Sequence, residues 1–346
     1  MLLEILDNVV GHVESAQFQS GWKLHSWNMG ENGMAAIASA SVSHDQVLVS
    51  YTDFLTPLSY LWVNLETGST PAVLKKGPER FSSDSMVSEQ WWAKSKDGVL
   101  VPYFIVHRKD WQLNGDNPTL LYGYGGFELP VTPKYLDAVG KIWLERGGVY
   151  VSANIRGGGE FGPAWHRAAM RENRQRAYDD FIAIAEDLIQ RKVTAPNRLG
   201  IRGGSNGGLL TGAVTMQRPE LFQAVVCEVP LLDMLRYARL LAGASWMEEY
   251  GNPEDPTMWE IIGKYSPYQN IHADRKYPEI LFISSTKDDR VHPGHARKMA
   301  AKLLSLGKPV LYYENTEGGH GRSANIEQAI QLMTLEYSYL WEKLGK

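Results

Sequence analysis

The sequence predicts an α/β protein with a mostly parallel sheet, preceded by a shorter all-β segment. Three observations carry that prediction. Residues from about 15 to 110 alternate apolar and polar side chains at strand spacing. From about residue 119 onward, short apolar runs alternate with stretches of helical period, the pattern of a sheet covered on both faces. A glycine-rich turn, Gly203-Gly204-Ser205-Asn206-Gly207, stands between one of those strands and the helix that follows it.

In the first region, Gln46 to Tyr51 and Ser59 to Asn64 read as half-buried strands, with Leu65-Glu66-Thr67-Gly68 as a turn. Trp91 to Lys94 and Val99 to Val106 flank Ser95-Lys96-Asp97-Gly98, where Asp-Gly signals a hairpin. Several of the eleven tryptophans fall in this N-terminal third, where they fit sheet packing. No helical period appears before about residue 130. Beyond it the expected strands are Thr119 to Tyr122, Val149 to Ser152, Leu199 to Ile201, Ala224 to Cys227, Ile280 to Ile283 and Val310 to Tyr313. Helical periods cover 134–146, 177–192, 205–217, 293–306 and 324–344. In such a sheet a reactive group belongs at the carboxyl ends of the strands.

The chain of 346 residues has room for about two domains. Hydrophobic residues make up 44% and charged residues 21%, ordinary for a globular protein. A net charge of −4 with interspersed signs predicts no nucleic-acid and no anionic-membrane partner. Cys227, the single cysteine, lies in the apolar run Phe222 to Val229, so it reads as a small core residue without a disulfide. No run reaches the ~18 apolar residues of a membrane helix, and Met1 to Asp7 has early acids unlike a signal peptide. A cytoplasmic location is the expectation. Asn154 to Gly162 is glycine-rich but lacks the Gly-Lys-Ser/Thr of a phosphate loop; it reads as a structural turn with a buried Arg156–Glu160 pair. No cofactor and no metal are expected.

Gly203 to Gly207 satisfies G-x-S-x-G, the nucleophile elbow, in which a sharp strand-to-helix turn pushes the serine hydroxyl out above the sheet. A serine hydroxyl becomes a useful nucleophile when a histidine takes its proton and a carboxylate holds that histidine in one tautomer. The α/β-hydrolase order along the chain is Ser, then Asp or Glu, then His. The strand at 280–283 runs into a loop holding Asp288 and Asp289, and the strand at 310–313 into a loop holding His320 between glycines. His292 and His295 also follow a strand, but choosing either leaves the last strand without a catalytic loop. Spacing does not separate Asp288 from Asp289, since either can cap the helix near Pro293. Acyl transfer also needs oxyanion donors. One is the N–H of Asn206, directly after the serine; the other belongs to the loop Tyr122 to Phe127, where a tyrosine hydroxyl can serve.

Together these segments resemble the peptidase domain of the prolyl oligopeptidase family. The resemblance rests on Tyr122 to Phe127, Asn154 to Gly162, Gly203 to Gly208, Ser245 to Gly251, Lys264 to Pro267, Asp288 to Pro293 and Gly318 to Gly321, in that order, over about residues 95 to 346. It implies a triad of Ser205, Asp288 and His320, with Tyr124 as the second oxyanion donor. It also implies that Trp246 stacks on a substrate proline, that Arg290 holds a substrate carbonyl, and that Phe127 and Tyr250 line the pocket. The implied activity is a serine-type oligopeptidase cleaving short peptides on the carboxyl side of proline. A related peptidase or esterase without proline preference is the alternative, as is an inactive truncated remnant.

Complete members of that family carry a seven-bladed β-propeller over the active site. A blade takes roughly 40–50 residues, so residues 1–85 supply about two blades at most. The expected division is therefore a partial propeller over 1–85 and an α/β-hydrolase peptidase domain over 86–346.

Overall fold

The computed structural model describes residues 1–68 and 70–345; Ser69 and Lys346, which fall within the two expected domain ranges, lie outside the described residues. The described residues form two sheets. The first comprises β1 (Leu2–Asp7), β2 (Val10–Ala16), β3 (Leu24–Ser26), β4 (Gly33–Ser39), β5 (Gln46–Asp53), β6 (Ser59–Asn64) and β7 (Ala72–Lys76). Strands β4 to β7 form a four-stranded antiparallel meander, while β1 and β2 form a hairpin that also pairs β3. The two parts meet where β2 runs parallel to β4 at Gly11 and Met34. The period-2 pattern of β5 and β6 sends Val47, Val49, Tyr51, Leu61 and Val63 to one face, where they pack with Val13, Trp27 and Ala35. Strands β1 to β4 were not singled out individually from the sequence.

The second sheet holds β8 (Met86–Lys94), β9 (Leu100–Arg108), β10 (Thr119–Tyr122), β11 (Val149–Ala153), β12 (Leu199–Gly204), β13 (Ala224–Glu228), β14 (Glu279–Ser285) and β15 (Val310–Asn315). Their order is β15-β14-β13-β12-β10-β11-β9-β8. The six strands from β10 onward pair in parallel, and the β8–β9 hairpin closes one side antiparallel to β11. This is the α/β-hydrolase type of sheet that the alternating pattern predicted. Sheet membership changes between Lys76 and Met86.

Seven α-helices occur among the described residues: α1 (Pro163–Arg167), α2 (Gln175–Gln190), α3 (Asn206–Gln217), α4 (Met247–Tyr250), α5 (Pro256–Tyr265), α6 (Gly294–Ser305) and α7 (Ile326–Leu344). Alternate residues of each central strand face opposite helix layers. Val225, Cys227, Ile280 and Phe282 pack with Phe181 of α2, Leu210 of α3 and Met299 of α6. Ala224, Val226, Leu281 and Ile283 pack with Leu332, Leu340 and Leu344 of α7. Phe54, at the end of β5, joins this second cluster and packs on Phe104 with ring centroids 5.3 Å apart. The first sheet is thereby seated on the second.

Three segments differ from expectation, the first being the short α1, which falls outside the expected helical periods. The helix expected over 134–146 contains a π-type stretch at Gly140–Leu144, where Trp143 Nε1 donates to the Val149 carbonyl at 2.9 Å. Between β13 and β14, α4 and α5 occupy a stretch for which no helix was expected. Helix α5 carries a start signal in Asp255-Pro256-Thr257: the Asp255 side chain accepts from the Thr257 N–H at 2.9 Å, and Pro256 opens the first turn. Among the described residues no helix is long and apolar enough to cross a membrane.

Candidate active site

The parallel strands deliver their following loops to one rim of the sheet. Strand β12 ends in the turn that carries Ser205, whose φ of 58° and ψ of −119° are unusual for a non-glycine residue. The strain is held from both sides. The Ser205 N–H donates to the Glu228 carbonyl at 2.9 Å, and the Ser205 carbonyl accepts from Gly208 and Leu209 of α3 at 2.9 and 3.1 Å. A Cβ on Gly203 would lie 2.3 Å from the Gly207 carbonyl oxygen, so glycine is required for the turn to close.

Strand β14 leads to Asp288. Its Oδ1 accepts from the N–H groups of Arg290 and Val291, each at 2.9 Å. The loop after β15 brings His320 Nδ1 to 2.8 Å from Oδ2 and 3.0 Å from Oδ1 of the same carboxylate. Asp288 is buried, whereas Asp289 is exposed. His320 and Ser205 line a common cavity of about 490 Å³, together with Tyr124, Arg290, Phe54 and Tyr150. The two rival histidines are engaged elsewhere. His292 Nδ1 accepts from the Gly294 N–H at 2.9 Å. His295 Nδ1 accepts from the N–H groups of Leu232 and Asp233 at 3.3 and 3.0 Å, and burial pushes its pKa down to about 4.

Asn206 is the first residue of α3, so its N–H has no acceptor within the helix. Its side chain is fixed in three directions. Nδ2 donates to the Tyr124 carbonyl at 2.6 Å, while Oδ1 accepts from Arg174 Nη2 at 2.6 Å and from the Tyr250 hydroxyl at 2.8 Å. Tyr124 lines the same cavity as Ser205. Burial holds that phenol above its ordinary pKa, with Arg174 opposing, so it remains a protonated donor.

The expected pocket residues separate into two groups. Arg290 is exposed and lines the cavity. Its carbonyl accepts from the Ala242 N–H at 3.4 Å, which joins the loop of Asp288 to the turn Leu241–Trp246 that carries Trp246. Trp246 itself is half-buried against the core. Phe127 is half-buried with a φ of 57°, and its N–H donates to Glu249 Oε1 at 3.0 Å. Tyr250 differs from expectation: it is fully buried, sits edge-on to Phe127 at 5.7 Å, and reaches Asn206 rather than open space.

Sequence reasoning did not single out the network beneath the elbow. Arg174 has no exposure; besides Asn206 it donates from Nη1 to Glu249 Oε1 at 2.9 Å, and it lies 5.2 Å over the Tyr250 ring. Glu249 Oε2 in turn meets His166 Nε2 at 2.7 Å. Arg174 stands in Arg171-Glu172-Asn173-Arg174-Gln175-Arg176, a run that reads as solvated charge. Phe54 was also missed, since nothing in a strand-end phenylalanine marks it as lining a distant loop's cavity. The expected Arg156–Glu160 pair is corrected: Arg156 bridges Asp180 and Asp97, at 2.6 Å to each. Glu160 instead accepts from the Val131 N–H at 2.9 Å.

A model of the prolyl oligopeptidase family matches residues 135–346. The chain is 49% identical over 345 residues to an uncharacterized peptidase of Sinorhizobium fredii, covering 99% of this chain and 47% of that protein. It is 37% identical over 303 residues to the prolyl endopeptidase of Elizabethkingia meningoseptica, covering 86% and 43%. The solved structure of a post-proline cleaving enzyme from Rickettsia typhi superposes with a TM-score of 0.91 at 37% identity, covering 99% of this chain and 50% of that one. The chain thus spans about half the length of the relatives it matches.

Proposed function

The chain belongs to the prolyl oligopeptidase family, and we propose that it is a serine peptidase acting on short peptides on the carboxyl side of proline. Ser205 attacks the scissile carbonyl while His320 accepts its proton and later protonates the leaving amine. Asp288 holds the imidazole, and the Asn206 N–H and Tyr124 hydroxyl receive the oxyanion. The observation that carries this reading is the bond of His320 Nδ1 to Asp288, which leaves the opposite ring nitrogen for a cavity shared with the strained Ser205.

Arg290 is assigned to a substrate carbonyl, Trp246 to the proline ring and Phe127 to the pocket beside it. The buried Tyr250 is assigned to holding Asn206. Residues 1–85 are assigned to a partial propeller and 86–346 to the peptidase domain. The four-stranded β4–β7 meander and the change of sheet after Lys76 support that division. A peptidase without proline preference is the second reading. It is favoured by one observation, that the cavity of Ser205 is lined by Arg290 and Tyr124 but not by Trp246.

Matched prolyl, alanyl and arginyl reporter peptides test this. The expected result is selective hydrolysis of the prolyl reporter, with Trp246→Ala lowering the prolyl rate more than the alanyl rate. Equal rates on all three, unchanged by Trp246→Ala, would favour the second reading.

A further inference from the structure

Past His320 the site continues into a second chamber of about 350 Å³, which Ser205, His320 and Tyr124 also line. Its lining also includes Arg202, Arg322, Lys134, Glu228 and Tyr337. Arg202 donates from Nη2 to Glu228 Oε1 at 3.1 Å and to Glu336 Oε2 at 2.8 Å, and Arg322 also pairs with Glu228. Despite burial, Arg202 and Arg322 hold the Glu228 carboxyl down to about 2. Burial, then the Glu228 charge, pushes Glu336 well above its ordinary range. Arg202, Arg322 and Lys134 thus line the chamber with Glu228, and Glu336 stands behind them within 3.5 Å of both arginines.

The donors are not exhausted by these pairs. Among the described residues, Arg202 Nε, the Tyr337 hydroxyl and Glu336 Oε1 are buried without a hydrogen-bond partner. Lys134 is exposed and takes part in no ion pair among them. A chamber lined by Arg202, Arg322 and an exposed Lys134, unpaired among the described residues, suits an anion with two acceptor oxygens.

The direction of the chamber decides what that anion is attached to. In acyl transfer the histidine delivers its proton to the departing amine, so the leaving chain exits past His320 and its neighbours Gly321 and Arg322. Arg290 and the segment Leu129 to Thr132 line the first cavity but not the second, Gly321 and Arg322 line the second but not the first, and Lys134 lines both; this assigns Arg290 to the acyl side and Arg322 to the leaving side.

We propose that this chamber is a subsite for a carboxylate on the leaving side of the scissile bond, received by Arg322 and Lys134. The inference rests on the serine-peptidase reading above. Two sources supply the same chemistry, the C-terminal carboxylate of a short leaving peptide and an aspartate or glutamate side chain within it.

The test measures peptide binding to Ser205→Ala by calorimetry, so that affinity is read without turnover. One pair of peptides differs in a free or amidated C-terminus on the leaving side; a second pair, both amidated, differs in Asp or Asn near the leaving amine. At least one acid form should bind about 10-fold tighter than its neutral counterpart, and whichever pair shows the difference identifies the source. Because Arg322 is tied into the buried cluster, Lys134→Glu at an exposed position carries the mutational arm and should bring the ratio to about one or below. Equal affinities within both pairs, no measurable binding, or a ratio unchanged in Lys134→Glu would overturn the subsite. Loss of cleavage in the unaltered chain, with the acid preference intact in Ser205→Ala, would count against the peptidase reading and support the subsite.

Discussion

Arg174 donates to Asn206 Oδ1 at 2.6 Å with neither residue exposed, so a buried guanidinium sets the position of the residue that follows Ser205. Asn206 in turn holds the Tyr124 carbonyl at 2.6 Å. One cation thereby fixes both groups assigned to the oxyanion.

Replacing Arg174 with methionine leaves the buried Glu249 carboxylate without its guanidinium partner. Removing one member of such a pair costs about 3–5 kcal/mol, measurable by urea unfolding. Arg174→Lys keeps the charge but loses the fork that reaches Glu249 and Asn206 together. We expect it to fold and to lose kcat by about 10-fold or more with KM little changed, the mark of an interaction made in the transition state. A lysine variant that is less stable yet has full kcat would contradict this role.

Asp288→Asn retains a side-chain oxygen for the Arg290 and Val291 N–H groups but offers His320 an amide in place of a carboxylate. The imidazole then takes the wrong tautomer, a change that lowers kcat on the order of 10³–10⁴-fold in such triads. Steady-state kinetics on a reporter peptide checks it. Asp289→Asn, at an exposed position, provides the comparison, and an equal loss there would contradict the choice of Asp288.

Glu160 governs a pH dependence of stability. It is buried, its Oε1 accepts from Val131, and its Oε2 has no partner among the described residues. Burial raises its pKa from 4.5 to about 7. The native state therefore keeps a proton that the unfolded chain releases near pH 4.5. Stability from this group is present below pH 4.5 and falls as pH rises to about 7, by up to about 3 kcal/mol, then levels off. Glu160→Gln keeps the acceptor for Val131 and removes the titration. Urea unfolding from pH 5 to 8 should show the variant gaining on the parent as pH rises; parallel curves would contradict the assignment.

Much of this architecture was legible because its signals are local. The strand–helix alternation after residue 119 reports burial on both faces of a parallel sheet. Ser205, His320 and the loop of Asp288 and Asp289 are read from where strands end, while the choice of Asp288 over Asp289 came from the family resemblance. What was not legible depends on distance. Arg174 meets Asn206 across 32 residues and Glu249 across 75, and no pattern near a charged run reveals a partner that far away. Arg156 was paired with the nearer Glu160, although its acids come from Asp180 on α2 and Asp97 in the β8–β9 hairpin. Tyr250 was placed in the pocket on a motif, whereas its burial depends on how α4 packs.

The most direct test of the central claim is labelling of the folded chain with a fluorophosphonate probe, followed by peptide mapping. The account predicts a single modified residue, Ser205, with labelling abolished in Ser205→Ala and greatly slowed in His320→Ala. A folded protein that resists the probe, or takes it at another serine, would contradict it.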